Sequence, residues 1–172
     1  MVWDNLIQEL KVDLGRDKVQ CNRALKGIFD GTFKMRIAPN VNPQNFKFML
    51  MVKIEDQKDD KAVIIDNSYS VLGSWKISKH GTSDEDLFIF NIFADKASSK
   101  IFELKRNEWN LLRVEVNTDE NYYLIQANNT PIEKEEISGE IRYPPQSELT
   151  LGGNKAGCFF VGEICYYGLW EI

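Results

Sequence analysis

The stretch FKFMLMVKI, residues 46–54, narrows most what this chain can fold into. Phe46, Phe48, Leu50, Val52 and Ile54 alternate with Lys47, Met49, Met51 and Lys53, and a repeat of two sends successive side chains to opposite faces of a β-strand. The centre of the run is apolar on both faces. Such a strand is either covered on both sides or lies beside a groove.

The same period recurs along the chain. TFKMRIA sets Phe33, Met35 and Ile37 against Lys34 and Arg36. Further strand candidates are KAVIID near Val63, YSVLGSWKI from Tyr69, DLFIFNIF from Asp86, KIFELK from Lys100, WNLLRVEV from Trp109 and NYYLIQA from Asn121. The last part adds GEIRY, SELTLGG and CFFVGEICYYGLWEI, giving about ten or eleven strands separated by turns rich in Asn, Asp, Gly and Pro. That spacing predicts an all-β sandwich or barrel. One segment departs from it: WDNLIQELKVDLG places Trp3, Leu6, Ile7, Leu10 and Leu14 at helical spacing, with Asp4 to cap the start and Gly15 to stop it. ELKVDL also alternates, so residues 1–15 are expected as a short helix or an edge strand appended to the sandwich. No linker divides residues 1–172, and one domain of 172 residues buries well over half of its unfolded surface.

Charge removes several partners. A net charge of -5 with scattered basic residues argues against nucleic acid and against anionic membranes, because phosphate repulsion has no basic face to offset it. No stretch approaches the roughly 20 apolar residues of a membrane span, and MVWDNLIQEL lacks the basic region and apolar core of a signal peptide. The chain reads as soluble and without membrane insertion; a piece cut from a larger secreted or surface protein reads the same. Cys21, Cys158 and Cys165 are odd in number and contain no CxxC, so neither a disulfide framework nor a zinc knuckle is indicated. Cys158 and Cys165 are expected on opposite faces of one strand. Three buried thiols, or one disulfide to Cys21 or across a bend, both remain open.

The residues of common catalysis are sparse. The single histidine, His80, lies in a polar loop pattern, no serine sits in GxSxG, and neither Cys158 nor Cys165 opens a helix that would lower its pKa. A glycosidase needs two carboxyl groups about 5 to 10 Å apart, yet EDQKDD and SDEDLF stand in turn-like surroundings. Glu103 or Glu115, each in a strand pattern, is the first to examine for it. No enzyme is expected. No cofactor is expected either, with a rim calcium site at Asp84 and Asp86 as the alternative, since hard cations want several oxygens. LGGNK does not fit a phosphate-cradling frame, and the sequon NNT at 128–130 carries meaning only in a secreted protein.

Four segments in order carry a resemblance: a tryptophan opening a strand (NEWNLLRVEV), a strand leading to a small polar turn (YYLIQANNTP), LTLGGN, and FFVGEICYYGLWEI. Together they resemble the concanavalin A-like lectin superfamily, in its laminin G-like and pentraxin-like branch. The match runs from Asn107 to Ile172, with support from IFDGTFKMRIAP. It implies a two-sheet antiparallel jelly-roll β-sandwich in which Trp109 anchors the facing sheets, Gly152 and Gly153 allow a tight exit, and Gly162 lets the last strand bend against its neighbour. The galectin pattern and the acidic glycosidase strand are absent, and no calcium ligand of the family can be placed.

The expectation that follows is a binding module for a glycan or a glycoprotein, acting through the concave face or the loop rim, on a cell or virion surface as part of a larger protein. A structural or protein-interaction domain is the alternative; a carbohydrate-cleaving enzyme is the third reading, and a cytoplasmic location stays open. Sugars stack on aromatic faces while polar side chains take their hydroxyls, so the candidate ligand-binding residues are Trp75, His80, Asn91, Arg113, Tyr123 and Asn128. Asn91 is the most suggestive, because it interrupts the apolar run FIFNIF and a buried amide needs partners.

Overall fold

The alternating segments pair as their periodicity demands. The structure is a computed structural model that describes residues 25–39, 41–68, 74–82 and 84–172. Its strands are β1 (Leu25–Asp30), β2 (Met35–Pro39), β3 (Asn45–Ile54), β4 (Val63–Ser68), β5 (Trp75–His80) and β6 (Leu87–Phe93), followed by β7 (Ala97–Glu103), β8 (Trp109–Asn117), β9 (Tyr122–Ala127), β10 (Lys134–Glu136), β11 (Glu148–Leu151) and β12 (Val161–Glu171). They form two six-stranded sheets, sheet A in the order β1-β12-β3-β8-β9-β10 and sheet B in the order β2-β11-β4-β5-β6-β7. Every pairing within them is antiparallel. There is no helix among the described residues, and the segment 1–15 and Cys21 lie outside them.

The inner faces of the two sheets make one core. Phe46, Phe48, Leu50, Val52 and Ile54 of β3 meet Trp75, Ile77, Phe88, Phe90 and Ile92 of sheet B, all buried. Met49 and Met51 point to the other face of sheet A and are equally buried at 0% exposure, so β3 is covered on both faces as its sequence requires. Apolar burial at roughly 25 cal/mol per Å² is the main stabilising term.

The two tryptophans exchange the roles expected of them. Trp75 is fully buried, stacked between the sheets against Phe46 at 5.2 Å and Phe48 at 5.0 Å between ring centroids. Its indole Nε1 donates to the Tyr143 hydroxyl at 3.2 Å, so the one polar atom is satisfied. Trp109, the expected anchor, pairs with Lys53 at the start of β8 and alternates with the inward Asn110, Leu112 and Val114. It therefore faces outward, half-buried, with the Lys26 ammonium 6.0 Å from its ring. One residue of register separates an anchor from a surface ring.

Other boundaries also differ from the pattern. GEIRY is not a strand: the Ile141 N–H donates to Gln44 Oε1, Arg142 N–H to the Phe93 carbonyl, and the Arg142 carbonyl accepts from Ser74. Those bonds tie the segment to Gln44, Phe93 and Ser74 instead of a ladder partner. β12 begins at Val161, after Cys158 has taken a left-handed φ of 47°. Cys158 is thus in the approach to the strand and is a free thiol, raised by burial, whereas Cys165 within the strand is disulfide-bonded. β1 and the three-residue β10 were not evident from alternation.

Two glycines act as the resemblance implies. Gly162, at φ 143°, lies so close to β3 that an added Cβ would stand 2.1 Å from the Lys53 carbonyl oxygen. Gly152, at φ 71°, supports the Phe29 ring, whose Cδ1 would be 2.1 Å from such a Cβ. Neither position accepts a side chain without moving its neighbour.

The exchange of tryptophan roles is measurable. Trp75→Ala is expected to cost about 3–5 kcal/mol, the range for emptying a large aromatic site in a core, and Trp109→Ala about 1 kcal/mol. Urea unfolding followed by far-ultraviolet circular dichroism checks it; equal losses would return Trp109 to the core.

Candidate functional site: the outer face of sheet B

The register of the core decides what sheet B shows to solvent. Because Trp75, Ile77, Phe88, Phe90 and Ile92 point inward, their neighbours Lys76, Leu87, Ile89, Asn91 and Phe93 point outward. Lys76 pairs with Asn91, and Asn91 with Ser99, forming a polar row across β5, β6 and β7. In the next row Ile89 pairs with Ser78 and with Ile101, and Ile101 is 46% exposed. In the row beyond, His80 and Glu103 flank Leu87.

Asn91 is half-buried, and among the described residues no group hydrogen-bonds its side-chain amide. The same holds for Lys76 and Ser99. Polar groups on the outer face of sheet A are used differently. Glu115 accepts from the Tyr122 hydroxyl at 2.5 Å and pairs with Lys47 at 3.3 Å, and Lys26 pairs with Glu163 at 3.3 Å. The bond to Glu115, with burial, pushes the Tyr122 phenol up to about 12. These groups of sheet A pair with one another, whereas Lys76, Asn91 and Ser99 of sheet B make no side-chain hydrogen bond to the described protein.

A groove of about 410 Å³ adjoins this row where Phe93 and Ala97 meet the 142–144 segment. Phe93 and Tyr143 line it, and Arg142 faces Asp95 across 3.8 Å at the rim. Burial pushes the Tyr143 phenol up, and its hydroxyl donates to the Pro43 carbonyl, so its ring, not its hydroxyl, serves the groove. Toward β4 the row closes: Asp66 pairs with Lys76 and Thr150 with Asp66, but both are buried. Asn154 Nδ2 donates to Asp66 at 3.1 Å and the Thr150 hydroxyl to the Gly153 carbonyl at 2.7 Å.

The candidates from sequence divide sharply. Asn91 and His80 share the outer face of sheet B. Trp75 has no exposed ring face for a ligand, because it is core. Tyr123 is also core, fully buried with its ring 5.5 Å from Phe90 and its hydroxyl 3.0 Å from Ser98 Oγ. Arg113, between Leu112 and Val114 on β8, projects from the outer face of sheet A, away from Asn91. Asn128 takes a left-handed φ of 55°. Its Oδ1 accepts from Leu111 N–H and its Nδ2 donates to Asn110 Oδ1, each at 3.0 Å. The buried Asn110 in turn donates to the carbonyls of Val52, Lys105 and Glu108 and accepts from Lys105 N–H. Asn128 is therefore bound into a turn-holding network. Alternation alone hid Lys76, Ser99, Ile89, Ile101 and Phe93, since only the pairing register brings them together.

The acidic candidates are separated or paired. Glu103 projects from sheet B and Glu115 from sheet A, with the core between, so these two cannot flank one glycosidic bond. Asp86 accepts from Arg106 Nε at 2.9 Å and Nη2 at 2.7 Å, and Asp56 also accepts from Arg106. The Arg106 guanidinium thus lies against Asp86, one of the two carboxylates of the expected rim site. No cluster of three acidic, histidine or cysteine side chains suited to a metal occurs among the described residues, and no helix there is long and apolar enough to cross a membrane.

No family model matches the sequence, and no curated protein matches it. Its structure does match solved ones. Domain 4 of AbnA, an extracellular arabinanase from Geobacillus stearothermophilus solved with arabinotriose, superposes with a TM-score of 0.66 at 13% identity, over 85% of this chain and 70% of that one. The LG4-5 domains of mouse laminin α1 give 0.58 at 10% identity, over 87% of this chain and 42% of theirs. A pentraxin from Limulus polyphemus gives 0.57 at 14%, over 89% and 78%. The chain thus spans less than half of the laminin pair. At these identities the likeness concerns the fold alone, a two-sheet antiparallel jelly-roll sandwich.

Two outcomes test the site assignments. Calcium added to the apo protein is expected to leave the melting temperature unchanged; a rise would restore the rim site. Asn110→Ala is expected to cost about 1–3 kcal/mol by stranding buried backbone groups, read from the urea midpoint at constant slope.

Proposed function

We propose that this chain is a non-catalytic binding module that holds a glycan against the outer face of β5, β6 and β7. The observation that carries the reading is the row Lys76, Asn91 and Ser99, outward on three adjacent strands with side chains not hydrogen-bonded within the described protein. An amide supplies both donors and an acceptor for paired sugar hydroxyls. Ile89 and Ile101 offer apolar area beside it, and the Phe93 and Tyr143 rings offer faces for a sugar's C–H surface. Neighbouring strands stand about 4.8 Å apart, so the row has the reach of a small oligosaccharide.

The arabinanase domain solved with arabinotriose supports a saccharide on this fold by analogy of architecture. A protein partner is the second reading, favoured by the exposed Ile101 and by the likeness to laminin domains. The disulfide at Cys165 suits an extracellular or surface location, where such bonds persist. Hydrolysis has no support from Glu103 and Glu115, which stand on opposite sheets.

A broad glycan array with the purified chain is the test. A hit is expected, reduced roughly tenfold or more in Asn91→Ala and Phe93→Ala, equivalent to about 1.4 kcal/mol, and unchanged in Glu115→Gln on the other sheet. No hit across the array, or a hit indifferent to Asn91 and Phe93, would overturn the reading.

A further inference from the structure

A second groove of about 410 Å³ opens at the other edge of sheet B, along β2 and β11. Its charge runs against that of the chain. Lys34, Arg36 and Lys155 line it together with one carboxylate, Glu148, in a protein of net charge -5. Lys34 and Arg36 share that one carboxylate, so it offsets only one of their two charges.

The geometry shows how the charges are held. Arg36 pairs with Thr150 across β2 and β11, and its Nε lies 2.9 Å from Glu148 Oε2, while Lys34 Nζ lies 3.6 Å from Oε1. Glu148 thus grips Arg36 by its inner nitrogen, and the Arg36 side chain remains 60% exposed. The terminal guanidinium nitrogens are left for an incoming anion, in the forked arrangement that suits a carboxylate or a sulfate. Lys155 is at the tip of a tight turn closed by reciprocal backbone bonds between Asn154 and Gly157, both at 3.0 Å. Asn154 ties that turn to the buried Asp66. Lys155 therefore stands on a braced support at the groove. Gln146, at the groove wall, adds an amide for neutral hydroxyls.

The geometry points to this groove as a binding site for an acidic saccharide, one whose carboxylate or sulfate meets Arg36 and Lys34 while its ring lies along the wall formed by Pro39 and Gln146. The groove has the size of small-molecule sites. It is separate from the Asn91 surface, since the buried Asp66 and Thr150 lie between them.

Isothermal titration distinguishes the two sites and the source of the anion. The intact chain is titrated with a carboxylated oligosaccharide, a sulfated one, a neutral one of equal length, and inorganic sulfate, each at low and at physiological ionic strength. At least one acidic oligosaccharide is expected to bind roughly tenfold or more tightly than both the neutral sugar and inorganic sulfate, and to weaken with salt. Which of the two acidic sugars prevails identifies the anion. The double variant Lys34→Gln, Arg36→Gln should lose that preference, and Lys155→Gln, at the exposed turn tip, should reduce it, whereas Asn91→Ala should leave it intact. Equal binding of the neutral sugar, equal binding of inorganic sulfate, no binding at all, or indifference to both sets of groove substitutions would overturn the assignment. A loss confined to Asn91→Ala would overturn it in favour of the first surface.

Discussion

The stack of Trp75 on Phe46 and Phe48 is the contact from which the rest of the sandwich takes its order. It joins β5 of one sheet to β3 of the other and fixes which side of each strand is inside. With Trp75 turned in, Lys76 has to turn out, and the ladder carries that choice to Asn91 and Ser99. A slip of one residue would bury the polar row and expose Phe88, Phe90 and Ile92, at a cost of several buried aromatic and aliphatic side chains. The candidate site is therefore held in place by the core, with no ligand needed to organise it.

Much of this fold was legible because its strands are covered mainly on one side, so that period-two alternation marks them, and because Gly152 and Gly162 stand where close approach excludes a side chain. The failures share a physical origin. Trp75 begins β5 and Trp109 begins β8, and nothing local says which of two faces will meet the other sheet. Asn128 carries a side chain suited to a sugar, yet a left-handed turn and the Asn110 network claim it. Asn91 stood out because one amide interrupts an apolar run on its own strand. Its companions lie on other strands, and the pairing register that unites them is a tertiary property. Asp86 reads in sequence as a turn carboxylate, and only the fold brings Arg106, twenty residues further on, beside it.

The two sheets divide their work. The outer face of sheet A uses its charges in pairs, Lys47 with Glu115 and Lys26 with Glu163. Sheet B closes its middle through Asp66, Asn154 and Thr150 and leaves open ground on either side, apolar and amide-bearing toward β7, basic toward β2. The same architecture supports many unrelated ligands, and it is this distribution of polar and charged groups that gives the chain an individual character.

β12 adds a consequence of a different kind. The last strand in sequence is an interior strand of sheet A, seated between β1 and β3 and bulged between Tyr166 and Gly168. During vectorial synthesis β1 and β3 emerge early and then face a gap one strand wide, each with an unpaired row of backbone donors and acceptors. Sheet A closes only when residues 161–171 arrive. Until that segment pairs, the two inner edges of sheet A stay open, and closure of the sandwich waits for it.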